Sequence, residues 1–164
     1  MSKIVNEARI KNPIIVAVRE QLEHRATWLA LLADSAEEKG LKLMDFAPEA
    51  IRKCGHMQGV KFADGTTSYK MLKKNLFGKA AQWVFEMDVK EVSDDTLFID
   101  FHYCPLVKAW QKLGYSDERI ADLCDAAMCG DSGIADMFDG ELELPQCIAK
   151  GDPICALRYV KKKK

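Results

Sequence analysis

Asp100, His102 and Cys104 stand two residues apart in the segment TLFIDFHYCP. Side chains along a strand alternate between faces, so these three share one face, with neighbouring Cα atoms about 6.5–7 Å apart. A carboxylate, an imidazole and a thiol are the set that nucleophilic catalysis uses. The thiolate attacks, the imidazole carries the proton, and the carboxylate orients the ring. Pro105 ends the strand and opens a helix, which places Cys104 just before a helix N-terminus, where the dipole favours a thiolate. Asp131, with Gly130 before it and Gly133 after it, reads either as a second acid/base group in a break between helices or as a cap for the IADMF turn. Cys155 reads either as part of the same pocket or as core beside Leu157 and Tyr159. Arg158 and Lys108 are the nearest cations for a substrate carboxylate, and the sequence does not choose between them. Cys54-x-His56 reads as a core cysteine and a capping histidine, and His24 as a rim residue.

The elements that must hold these residues follow from periodicity and punctuation. Asn12 caps and Pro13 opens a helix over 14–39 that stops at Gly40. Its apolar stripe runs Ile14, Ile15, Val18, Leu22, Ala26, Leu29, Leu32. Pro48 opens a second helix over 48–56, ended by Gly55 and Gly59, and Tyr69–Lys79 is ambiguous. Two alternating runs, 82–92 and 97–104, form an antiparallel hairpin around Ser93-Asp94-Asp95. Its inner face carries Trp83, Phe85, Met87 and Val89. Its polar face presents Glu86, Asp88, Lys90, Asp100 and His102, for which a solvated sheet face is an equally good account. Pro105 opens a helix to Gly114, and Ser116 caps another to Met128, with Asp117 and Glu118 favourably placed in its first turn. Strands over 141–149 and 154–160 close the chain. The order ααββααββ predicts an α+β fold, an antiparallel sheet of at least four strands with helices packed on one face.

At 164 residues, 48% of them hydrophobic and 30% charged, the chain is expected to form one domain, a helical lead over 1–80 and sheet and helices over 81–164. A net charge of −1 offers no field for nucleic acid, and the run Lys161–Lys164 reads as a solvated basic terminus. No apolar run has the length of a membrane span or a signal core, so the expected location is cytoplasmic, with no membrane partner. The six cysteines are then thiols rather than disulfides. None forms a CxxC pair, so neither a metal nor any other cofactor is expected. A small-molecule substrate is the expected partner, and a homo-oligomer is compatible with the composition.

Cys104-Pro105, then LGYSDERIADLC, then Gly130-Asp131 followed by GIADMF, and last Gly151-Asp152-x-x-Cys155-x-x-Arg158-Tyr159 together resemble the L-2-amino-thiazoline-4-carboxylic acid hydrolase family, from about Gln82 onward. The resemblance implies hydrolytic opening of a cyclic 2-aminothiazoline carboxylate to an N-carbamoyl-cysteine type of product, a reaction of bacterial cysteine production. On that reading Cys104 is the nucleophile, His102 its base, Asp100 the orienting group and Asp131 a second acid/base. A fainter likeness runs to small-molecule-binding domains whose last hairpin ends in a similar Gly…Cys pattern. Two classes are therefore in play: a Cys/His-assisted hydrolase of cyclic amidines, and a non-catalytic binding or sensing domain that uses the same pocket.

Overall fold

A computed structural model describes residues 2–163; Lys164, the last residue of the basic run, lies outside the described residues. Helix α1 spans Pro13–Glu37, with the Asn12 side chain accepting from the amides of Ile14 and Ile15 as the sequence leads one to expect. Helix α2 covers Leu43–Ala63, followed by the short helices α3 (Tyr69–Asn75) and α4 (Lys79–Phe85). Strands β1 (Met87–Val92) and β2 (Thr96–Phe101) form the first hairpin. Helices α5 (Pro105–Lys112) and α6 (Asp117–Asp136) follow, then β3 (Gly140–Glu143), a 3-10 turn over Ile148–Lys150, and β4 (Cys155–Lys161). The four strands are antiparallel in the order β1-β2-β4-β3. The α+β architecture is the expected one. Leu97, Ile99, Phe101, Leu157 and Tyr159 point from the sheet into the helical core.

Several boundaries differ from the sequence reading. Helix α2 begins at Leu43, and Pro48 lies inside it rather than opening it. Gly55 and Gly59 do not end α2, because they are contact points inside it. A Cβ at Gly55 would stand 2.0 Å from the Gly130 carbonyl oxygen, and one at Gly133 would stand 2.4 Å from that of Arg52. Two helices this close need glycine at the crossing, so intrinsic propensity gives way to packing. For the same reason α6 runs unbroken through Gly130-Asp131-Ser132-Gly133, and Asp131 sits within a helix rather than in a break. The alternation from Gln82 misleads as far as Phe85. That stretch is the helix α4, and Glu86 turns the chain with φ +51 before β1 begins. The strand expected over 141–149 is cut to Gly140–Glu143, after which the chain leaves the sheet for the 3-10 turn.

Residues 2–12 run without regular structure and are pinned in three places. Ser2 and the Lys3 amide donate to Asp117 at the start of α6. Asn6, only 2% exposed, donates through Nδ2 to the Cys104 carbonyl and accepts the Cys104 amide. The amides of Arg9 and Ile10 donate to Glu86, which Arg19 also reaches. The leading segment thus fixes the backbone on which the candidate nucleophile stands.

Candidate active site

The three residues expected on one face are divided between two. Strand β2 ends at Phe101, and the turn through His102 and Tyr103 rotates Cys104 away from the strand's polar face. His102 remains on the outer face of the sheet, where its Nε2 lies 3.0 Å from the Asp88 carboxylate. Asp88, not Asp100, therefore holds the imidazole. The Asp100 carboxylate accepts from Arg158 Nη2 at 2.6 Å, with Lys90 3.7 Å away. Arg158 is further committed to the carbonyls of Ile99 and Leu157 and lies over the Phe98 ring. Lys108 pairs with Glu7 at 3.0 Å. Both cations named for a substrate carboxylate are thus engaged within the chain. No hydrogen bond joins His102 to Cys104 among the described residues.

Cys104 instead belongs to a group between α6 and the inner face of the sheet. It is the N-cap residue of α5 and packs against the core. The charges that bear on its thiol are those of Cys147 and Asp131. Burial pushes that thiol up to about 11, against the lowering effect of the Val107 and Leu106 amides in the first turn of α5. The helix-terminus effect read from the sequence is present, and desolvation outweighs it. Cys104 is a protonated thiol at neutral pH.

Asp131 faces the same interior from α6. Its carboxyl accepts the hydroxyl of Tyr159 at 3.0 Å, and Tyr159 is fully buried on β4. Burial raises the Asp131 pKa, opposed by the Tyr159 hydrogen bond and then by the positive charge of Arg25. Arg25 carries no ion pair among the described residues, and the sequence reading passed over it. Its cue, a lone cation beside Ala26 of the α1 stripe, is indistinguishable in sequence from any solvated arginine.

Cys155 completes the group with two further cysteines, Cys124 and Cys147. The Cys124 and Cys147 sulfurs are 3.7 Å apart, and the Cys155 sulfur accepts the Ile148 amide at 3.3 Å. Hydrogen bonds from Cys124 and Cys155, then the Ala149 and Lys150 amides, hold the Cys147 thiol below its ordinary value. Its two partners are pushed above theirs, first by those same hydrogen bonds and then by burial. All six cysteines are free thiols. Among the described residues no three His, Cys, Asp or Glu side chains are disposed to hold a metal ion.

Two surface grooves lie among the described residues. One of about 620 Å³ lies where Ser2–Ile4 meet the start of α6, and one of about 210 Å³ lies beside Arg9 and Glu86. Neither is lined by Cys104 or Asp131. No helix is long and apolar enough to cross a membrane among the described residues.

Comparison with known proteins gives a family and a fold. The sequence model of L-2-amino-thiazoline-4-carboxylic acid hydrolase matches residues 19–159, which extends the resemblance through the helical lead. A search of the curated proteins gave no match. Among solved structures, the chain is similar to a trafficking protein particle complex subunit 3 from Naegleria fowleri, covalently bound to palmitic acid. The similarity has a TM-score of 0.50 and 16% identity over 85% of this chain and 96% of that one. At that identity the likeness concerns the fold, a helical layer on an antiparallel sheet. With a match that spans α1 to β4 and takes in Cys104, Asp131 and Cys155, the chain belongs to the L-2-amino-thiazoline-4-carboxylic acid hydrolase family.

Proposed function

We propose that the chain is a cytoplasmic hydrolase of a small cyclic amidine such as 2-aminothiazoline-4-carboxylate, with Cys104 and Asp131 as the reacting pair. The observation that carries this reading is an aspartic acid whose pKa burial raises, facing the same interior as a neutral thiol. Opening the ring needs a proton donor for the ring nitrogen and a nucleophile at the amidine carbon. Asp131 gives its proton to the ring nitrogen as the Cys104 sulfur bonds to that carbon, and the carboxylate so formed takes the thiol proton. The ring carbon–sulfur bond then breaks, and the departing sulfur takes that proton from Asp131. Water replaces Cys104 at the same carbon and the thiol regains its hydrogen, leaving an N-carbamoyl-cysteine type of product. Cys155 lines the site, and the Asp88–His102 pair stays outside it.

The test is turnover of 2-aminothiazoline-4-carboxylate, followed by chromatography of the product and by the appearance of a free thiol. Cys104→Ser and Asp131→Asn are each expected to reduce turnover by about a hundredfold or more, with little change in melting temperature for Cys104→Ser. His102→Ala is expected to leave turnover within a few-fold. A His102→Ala variant that is dead beside an active Cys104→Ser would move the chemistry to the outer face of the sheet. About one zinc per chain, lost together with activity on chelation, would make Cys104 and Cys155 ligands instead.

A second reading, a binding domain that holds a ligand covalently on Cys104, draws on one observation. The thiol has no histidine beside it and burial keeps it protonated, which suits slow, lasting attachment better than turnover. The trafficking subunit that shares the fold is covalently bound to palmitic acid. An intact-mass measurement separates the readings. A stable adduct that Cys104→Ser abolishes, in a protein inert toward the thiazoline, favours the binding domain.

A further inference from the structure

The apolar stripe of α1 does not all face the core. Ile15, Ala26, Ala30 and Ala33 are buried, together with Arg19. Ile14 is 73% exposed, Val18 42%, Trp28 62% and Leu32 61%. These four, with the exposed Gln21 and Arg25, fall at 14, 18, 21, 25, 28 and 32. The spacing alternates four and three, the seam of a helix that packs against another helix. Within the chain that seam is left largely exposed, and the Trp28 indole N–H donates to His24 at 2.9 Å.

The seam is self-complementary in one direction. If a second α1 is laid antiparallel about a two-fold axis through the middle of the stripe, every position meets the one that makes their numbers sum to 46. Ile14 then faces Leu32, Val18 faces Trp28, and Gln21 faces Arg25. Each large side chain meets a smaller apolar one, and the amide oxygen of Gln21 meets the guanidinium of Arg25. A parallel arrangement would instead set Trp28 on Trp28 and Arg25 on Arg25. We propose that the protein is a homodimer through this antiparallel α1–α1 contact, an isologous interface in which one patch serves both copies.

The area is adequate. A 25-residue α1 is about 37 Å long. The exposed parts of Ile14, Val18, Trp28, Leu31 and Leu32 present on the order of 500 Å² of apolar surface, at the upper end of what a monomer leaves open. The stems of Gln21, His24 and Arg25 bring the patch near the ~800 Å² that each partner contributes to a standard interface. A polar layer at the centre of an apolar seam also fixes register and orientation.

Analytical ultracentrifugation of the full chain, with circular dichroism to confirm folding, tests both the contact and its direction. Wild-type protein is expected to be dimeric at micromolar concentration. Val18→Lys alone and Trp28→Glu alone should each weaken the dimer by about a hundredfold or more, because each buries an unpaired charge in the seam. A mixture of the two variants should dimerise again. In the antiparallel register the introduced lysine of one chain meets the introduced glutamate of the other, and the remaining Trp28 meets the remaining Val18. A monomeric wild type, single variants that stay dimeric, or a mixture that stays monomeric would each overturn the proposal.

Discussion

Cys104 illustrates how one residue can carry two opposed electrostatic effects. The amides at the start of α5 act to lower its thiol pKa, and burial acts to raise it; burial wins, to about 11. Asp131 is moved in the same direction by burial. Its raised pKa means that, between the ordinary carboxylate value and the folded one, the folded state holds a proton the unfolded state has released. Stability therefore falls as pH rises through that window. Asp131→Asn removes this loss while keeping an acceptor for Tyr159, so its melting temperature should match wild type near pH 4 and exceed it at pH 7. Glu86 is the reverse case. Burial would raise it, but the amides of Ile10 and Arg9 and the side chains of Arg9 and Arg19 together hold it below the usual carboxylate range. Its contribution is fully present above the unfolded pKa and is lost as pH falls through the folded one. Arg19 and Glu86 are both almost fully buried, 3.1 Å apart. Arg19→Met should therefore cost about 3–5 kcal/mol in urea unfolding at pH 7 and less at pH 3.

Among the elements, the α2–α6 pair sets the frame. The packing has no room for a methyl group at Gly55, whose Cβ would stand 2.0 Å from the Gly130 carbonyl oxygen. That neighbour is backbone and cannot rotate aside. Gly55→Ala should lower stability by roughly 3 kcal/mol, even though alanine is the better helix former. Gly40 has φ +85 and open space around it, so Gly40→Ala should cost only about 1 kcal/mol through backbone strain. Comparing the two unfolding midpoints distinguishes close packing from conformational strain. The Asp136 carboxylate adds a polar clasp to the same pair, taking Arg52 Nη2 at 2.7 Å and His56 Nε2 at 2.9 Å from α2. On the other side of the molecule α5 is tied to α1 by the Trp110 indole N–H, which donates to the Ala26 carbonyl at 3.0 Å.

At the scale of the whole molecule the six cysteines sort by depth. Cys54 is exposed and Cys129 and Cys104 are half-buried, whereas Cys124, Cys147 and Cys155 are buried. Alkylation of the native protein, read by peptide mass spectrometry, should label Cys54 first and Cys104 slowly, as its raised pKa keeps the reactive thiolate scarce. The three inner thiols should react only as fast as the chain unfolds, even though Cys147 has the lowered pKa, because accessibility limits them. Rapid labelling of Cys147 in the folded state would show a path into the interior.

Much of this molecule was legible from local chemistry. Asn12-Pro13 and Ser116 mark helix starts, Pro105 marks the strand-to-helix junction, and the alternation of Leu97–Phe101 marks a strand; each depends on neighbours in sequence. The four strands and their packing on helices follow from such signals, as does the choice of Cys104, Asp131 and Cys155 as residues worth following. Tertiary structure alone decided the rest. Glycines at 55, 59, 130 and 133 look like stops in one dimension and are contacts in three, since close approach depends on a partner helix more than sixty residues away. The outward side of α1 is no less apolar than the inward one, and packing against α5, α4 and α2 selects which is buried. Above all, the strand period places His102 and Cys104 on one face, but the period holds only while the strand lasts. With β2 ending at Phe101, the turn sends the thiol inward to Asp131 and leaves the imidazole outside with Asp88.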